Sequence, residues 1–333
     1  MVSYKEILAS NALINDSATA LRVAVFVGGT SGIGKFTIQA LVATGIRVKI
    51  YLVGRKSSRE RTQAFIEELH TLNPKAEVIW TEAEVALLAD VKRVCELIQS
   101  NESRVDLLFL TAGYAPFGTR AETAEGHEVV QALEYYSRML FILRLLPLLS
   151  ASDAARVISV LGGGMETTHL IDLDDLDLKR PGNFRVYRAR PQYIAMNTMT
   201  LDKLASENPD IAFIHSSPGA VNTGNVRRGW DANSIVGAVF SGLVEFLTWL
   251  IGFSDDESGQ RHLFDSTSAA FGGRGMPWTG KAGITTTGKS AGGLFLVNNK
   301  CDCTPNAKVV GQLREKGQEK LWDHTQILLG PYL

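Results

Sequence analysis

Cysteine is scarce in this 333-residue chain, and the little there is lies badly spaced for chemistry. Cys95, Cys301 and Cys303 make an odd number without paired spacing. That excludes a disulfide framework and points to a reducing compartment, taken as cytoplasmic. Cys301-Asp302-Cys303 has no second Cys or His pair to complete the four ligands zinc takes, so no metal is expected. Neither sign of charge is in excess: 34 basic against 35 acidic residues give a net charge of -1. This speaks against nucleic acid or an anionic surface as a partner. The first twenty residues lack the apolar centre of a secretory signal. Long apolar runs are lacking too, with one exception, Ile235 to Phe253. It approaches the length of a membrane span, but Glu245 and three glycines interrupt it and Asp255-Asp256-Glu257 follow it. It reads as a helix covering an apolar pocket, with no transmembrane span.

What is present is an alternation. Leu21 to Val27 is almost unbroken apolar sequence, the pattern of a strand buried on both faces of a parallel sheet. Gly28, Gly32 and Gly34 follow, and Lys35 to Val42 reads as a helix. Strand, glycine turn and helix start together suit a dinucleotide pyrophosphate, because glycine admits the phosphates and the free amides of a helix start face their charge. Further strands are expected at Val48–Val53, Val78–Thr81, Asp106–Thr111, Arg156–Leu161, Ile211–His215 and Gly293–Val297. Helices are expected at Ser58–Leu72, Asp90–Gln99, Thr123–Leu149, Met196–Ser206 and Lys308–Thr325. Such spacing means an α/β chain with a doubly wound parallel sheet of about seven strands. No internal repeat and no second sheet system is visible. The expectation is one domain, 1–333, with a substrate lid or insert at 225–290 in its C-terminal extension. Gly272 to Gly293, rich in Gly, Thr and Lys, reads as a surface excursion.

Gly28-x-x-x-Gly32-Ile33-Gly34, Thr111-Ala112-Gly113, Tyr193-x-x-x-Asn197 and Pro218-Gly219-x-x-x-Thr223 stand in one order from about residue 20 to 225. In these pieces the chain resembles the short-chain dehydrogenase/reductase family. Tyr135–Leu149, Met196–Ala205 and Ser216–Gly224 resemble a divergent fungal branch often found with secondary-metabolite pathways. The resemblance implies a Rossmann-type fold and NAD(P) binding. Thr30 and Ser31 would hydrogen-bond phosphate oxygens beside Gly28, Gly32, Ile33 and Gly34. Arg55 stands where an acidic residue would bind the ribose diol of NAD; with Lys56 it suits the extra 2′-phosphate of NADP through a forked contact. Glu84 and Val85 would lie beside the adenine, and Ala112, Gly113 and Tyr114 would border the cofactor. Pro218, Gly219 and Val221 would form a turn from which Thr223 reaches the nicotinamide carboxamide. The family also implies a possible homodimer through the central long helix, and Tyr135–Leu149 is apolar enough for one.

The catalytic pattern is eroded. The family uses Ser, Tyr and Lys with an Asn on the central helix. Here Tyr193 stands in place, Asn197 occupies the Lys position, and the Ser position falls on Leu161-Gly162, with Ser159 the nearest hydroxyl on the strand. The helix Asn is replaced around Glu134 to Tyr136. A nearby cation shifts a pKa by ~1–3 units, which Asn197 cannot do. Losing a carbonyl-polarising donor costs ~3 kcal/mol more. Glu166 and His169 lie between strand five and the Tyr193 helix and could supply a His–carboxylate pair. Tyr187, Tyr114, Tyr135, Tyr136 and Arg138 are further groups near the expected site. Three functions are open at this level. The first is an NADP(H)-dependent reductase of a hydrophobic carbonyl or enone in secondary metabolism. The second is a non-redox cyclase or isomerase acting on a polyketide or terpenoid by positioning. The third is a catalytically silent binding partner.

Overall fold

The structure is a computed structural model that describes residues 2–117, 119–221, 242 and 252–333. Seven strands form one sheet: β1 (Val23–Val27), β2 (Lys49–Gly54), β3 (Glu77–Glu82), β4 (Leu107–Leu110), β5 (Arg156–Val160), β6 (Ala212–Ser216) and β7 (Leu294–Val297). Their order is β3-β2-β1-β4-β5-β6-β7, and every pairing is parallel. This is the doubly wound Rossmann-type sheet expected from the alternation of apolar runs and helical segments.

The helices are α1 (Tyr4–Asn11), α2 (Gly32–Ala43), α3 (Arg59–Leu72), α4 (Leu88–Asn101), α5 (Val129–Gln131), α6 (Ser137–Ser150), α7 (Val186–Glu207), α8 (Asp255–Thr267) and α9 (Ala307–Leu329). The stretch Ala132–Tyr136, between α5 and α6, is π-helical. Two layers sandwich the sheet. Val23, Val25 and Val27 of β1 face the side packed by α4, α6, α7 and α9. Ala24 and Phe26 of the same strand face the side packed by α1, α2, α3 and α8. All five side chains are buried, so the period-2 alternation of a strand is masked by two apolar faces. Each large side chain so buried contributes ~1.5–3 kcal/mol.

Two helices, α1 and α8, lie in stretches where the sequence announced no helix. α1 is started by a capping box in which Ser3 and Glu6 exchange side-chain and backbone hydrogen bonds. α8 is capped by Ser254, carries three acids in its first turn, and packs on α1 and α2. Within 225–290, α8 therefore belongs to the helical layer of α1 and α2. Within the run 272–293, Met276, Thr285 and Thr286 are buried, and the Thr286 hydroxyl donates to Asp202 at 2.6 Å. The stretch Ile235 to Phe253 lies, apart from Gly242, Gly252 and Phe253, outside the described residues. Among the described residues no helix is long and apolar enough to cross a membrane.

Candidate active site

The sheet order reverses at β1, which has β2 on one side and β4 on the other. Crevices of ligand size form outside the carboxyl ends of strands at such a point. Here the Thr111 and Ala112 amides both reach back to the Val27 carbonyl, at 2.9 and 3.1 Å. Gly28 then turns away with φ 98°, and a Cβ on it would lie 2.6 Å from the Ala112 amide nitrogen. Only glycine fits there, on steric and conformational grounds alike. Ser31 sits at the N-cap of α2 in extended conformation and makes no side-chain cap to the helix. The first amides of α2 are therefore presented to the space beyond β1.

That space is a cavity of about 830 Å³. Gly28, Thr30, Ser31, Gly32, Ile33, Arg55, Glu84, Val85, Ala112, Gly113, Tyr114, Pro218, Gly219 and Val221 all line it. Arg55 is exposed and lines the cavity, and its guanidinium makes no hydrogen bond or ion pair among the described residues. Gly34 is turned inward, where a Cβ would meet the Gly28 carbonyl oxygen at 2.8 Å, so it closes the turn rather than lining the cavity. Lys56 opens a short 3-10 turn, Lys56–Ser58, and is exposed outside the lining. Thr223 lies outside the described residues. Burial raises the pKa of the half-buried Tyr114 phenol.

The expected catalytic residues are placed differently. Tyr193 on α7 is fully buried and is not part of the lining. Its hydroxyl donates to Glu128 Oε2 at 3.0 Å. Burial, then the Glu128 charge, push its pKa far above the ordinary phenol value. Asn197 is buried one turn further on, donating to the Tyr193 carbonyl at 2.9 Å and the Glu134 carbonyl at 2.7 Å. Ser159 is buried in β5 and donates to Asn197 Oδ1 at 3.1 Å. Glu166 is buried and His169 is exposed, and no hydrogen bond or ion pair joins them. Glu166 meets His215 of β6 instead. The Gly162 amide donates to His215 Nε2, so the proton sits on Nδ1 and faces Thr198 Oγ1 at 2.8 Å. The Thr198 hydroxyl donates in turn to Glu166 Oε1 at 2.7 Å. Burial lowers the His215 pKa to about 3 and keeps the ring neutral. Tyr187 is exposed.

Three ionisable side chains, Glu134, Arg138 and Arg190, complete the inner end of the cavity, and of these the sequence pointed to the neighbourhood of the first two only. Glu134, in the π-helical turn, lines the cavity with its side chain buried. It fills the space beside Gly113, where a Cβ would lie 2.8 Å from Glu134 Oε1. Arg138, one turn later, forks between the Ser159 hydroxyl, the Val160 carbonyl and the Ala112 carbonyl at 2.8–2.9 Å. Arg190 of α7 brings its guanidinium to 3.9 Å from Glu134 Oε1. The spacing Glu134-x-x-x-Arg138 was the one readable signal, since positions four apart share a helix face. Nothing in the sequence announces Arg190. Burial raises the Glu134 pKa to about 7, against the lowering effect of Arg190 and Arg138, and lowers that of Arg138 to about 10. All three cysteines are free, and among the described residues no group of three or more metal-ligand side chains is brought together.

Residues 22–166 match the family model described as short chain dehydrogenase. The chain is 40% identical to Oxidoreductase AN1596 of Emericella nidulans, across 99% of this chain and 98% of that protein. It is 29% identical to Short-chain dehydrogenase/reductase SAT2 of Stachybotrys chartarum, across 91% and 90% of the two chains. NADPH-bound carbonyl reductase from chicken fatty liver has a similar fold, with a TM-score of 0.52 and 19% identity over 85% of this chain and 98% of that one. Glycine turn, open helix start and switch-point cavity thus coincide with relatives matched over nearly their whole length: the chain belongs to the short-chain dehydrogenase/reductase family and is an oxidoreductase of that type.

Proposed function

We propose that this enzyme reduces a hydrophobic carbonyl or enone with NADPH as the hydride donor, in fungal secondary metabolism. The observation that carries the cofactor choice is Arg55, exposed and lining the cavity after β2, its guanidinium without a hydrogen bond or ion pair among the described residues. A forked guanidinium there suits a 2′-phosphate, where an acidic residue would suit a ribose diol. Lys56 adds a second positive charge next to it. The glycine turn and the uncapped start of α2 fit a pyrophosphate, since Gly28 and Gly32 line the cavity at the helix start with no side chain to block it. When bound, reduced nicotinamide supplies a hydride. The chain's own residues bind and orient: Thr30 and Ser31 toward phosphate oxygens, Glu84 and Val85 at the adenine end, and the Pro218-Gly219 turn at the far end. Leu87, Val129, Leu133 and Leu161 give the remaining wall its apolar character, which supports a hydrophobic substrate. The fungal setting rests on the relatives' sources and on the segments Tyr135–Leu149, Met196–Ala205 and Ser216–Gly224.

Fluorescence titration with NADPH and NADH tests this. The expected result is tighter binding of NADPH, with Arg55→Ala raising the Kd for NADPH about tenfold, equivalent to ~1.4 kcal/mol, and leaving NADH nearly unchanged. Equal affinities for the two nucleotides that Arg55→Ala does not alter would overturn the assignment.

A further inference from the structure

We propose that Glu134 is the proton donor to the carbonyl oxygen of the substrate, held by Arg190 and Arg138 in place of the family's Ser, Tyr and Lys. This rests on the reductase reading above. Three observations converge. Glu134 is 2% exposed yet lines the cavity, so its buried carboxyl looks into the space a ligand would fill. Its Oε2 is buried and has no hydrogen-bond partner among the described residues, while Oε1 has only the Arg190 guanidinium at 3.9 Å. A buried carboxyl kept for structure would be satisfied by nearby donors, as Glu128 is by the Val130 and Gln131 amides and the Tyr193 hydroxyl. Glu134 is not, which leaves the hydrogen-bonding capacity of its carboxyl unused within the protein.

The backbone holds it there. In the π-helical turn the Glu134 carbonyl accepts from Asn197 Nδ2, and Asn197 is fixed in turn by Ser159, itself under the Arg138 fork. Asn197, at the family's Lys position, and Ser159, the strand hydroxyl nearest its Ser position, thus position the turn that carries the carboxyl. The charged and titratable groups around it are Arg190 and Tyr193 from α7, Tyr114 from the loop after β4, and Glu128 and Arg138 from its own helical run. With the carboxyl poised near neutrality, both protonation states are available at working pH.

The step balances. The carbonyl carbon gains the hydride from reduced nicotinamide, and the displaced C=O electron pair takes the proton from the Glu134 carboxyl. The products are the alcohol, oxidised nicotinamide and a Glu134 carboxylate paired with Arg190. The carboxylate then regains a proton from solvent.

The test compares the wild type with Glu134→Gln and Glu134→Asp. Activity is followed by NADPH consumption with isatin and other activated ketones. In the nucleotide-free protein, pH-difference infrared spectroscopy should show a protonated-carboxyl band titrating near pH 7. Glu134→Gln should remove the Glu134 component of that band and leave the component from Asp265, bind NADPH as the wild type does, and lose about 10²-fold or more in kcat. Wild-type kcat should fall about tenfold per pH unit above neutrality. Glu134→Asp should keep that limb at reduced rate, and Glu134→Gln should lack it. Failure of the wild type to bind NADPH would sink the cofactor reading and this inference with it. Normal NADPH binding by Glu134→Gln with kcat within a few-fold of wild type would sink this inference alone. So would Tyr193→Phe abolishing turnover that Glu134→Gln retains.

Discussion

Arg138 carries its charge almost entirely out of water, at the inner end of the cavity. Its guanidinium is 2% exposed, and burial lowers its pKa only to about 10, so it stays a cation at any working pH. What makes that tolerable is the fork onto Ser159, Val160 and Ala112, which ties the ends of β4 and β5 to the helix that carries Glu134. Hydrogen bonds to a charged group contribute more than neutral ones, and acceptors stranded in a core are costly. Arg138→Met keeps the volume and strands two carbonyls, so a loss of about 3 kcal/mol is expected in urea unfolding. It also removes one of the two cations that hold the Glu134 pKa down. The alkaline limb of the activity profile should therefore move to higher pH in this variant. A limb that stays put, with stability unchanged, would mean that Arg138 does not act on Glu134.

Among the elements, the turn between β1 and α2 tolerates least. Gly28→Ala forces a side chain into φ 98° and against the Ala112 nitrogen. Backbone strain of ~1–3 kcal/mol is expected there, and the crevice between β1 and β4 must widen to relieve it. The expected outcome is a lower melting temperature together with loss of NADPH binding; normal binding would exclude this turn as the phosphate cradle. That turn was legible in the chain, as were all seven strands to within a residue or two, because buried parallel strands are written as apolar runs and their ends as glycine. Other elements were not legible. α8 is mostly polar and packs through Leu263 and Phe264 beneath a charged first turn, so it carries little apolar signal. Ala132–Tyr136 contains ordinary helix formers, and nothing in its composition separates a π turn from an α turn. The pairing of Glu134 with Arg190 joins residues 56 positions apart through the packing of α7 beside the central helical run, which no local pattern encodes. The missing Ser and Lys, by contrast, were readable as absences, although what replaced them was not.

At the scale of the whole molecule, four buried groups with large shifts among the described residues tie stability to pH. Burial raises Glu134 and Asp265 to about 7. From their ordinary values up to about pH 7 the folded chain holds protons that the unfolded chain has released, so both make stability fall as pH rises. Burial lowers His215 to about 3 and His262 to about 4. From about pH 4 to 6.5 the unfolded chain holds protons that the folded chain excludes, so both make stability rise with pH. Between about pH 4.5 and 6.5 these four contributions oppose one another, two of each sign. Glu134→Gln removes one falling contribution and disturbs that balance. Its melting temperature relative to wild type should therefore climb as pH goes from about 4.5 to 7 and level off above. The gain should reach about 3 kcal/mol at most. This needs neither nucleotide nor substrate, only thermal melts of two proteins across a pH series. A constant offset at every pH would show that the Glu134 carboxyl titrates in the fold as it does in the unfolded chain, and the cavity would then lack the acid assigned to it.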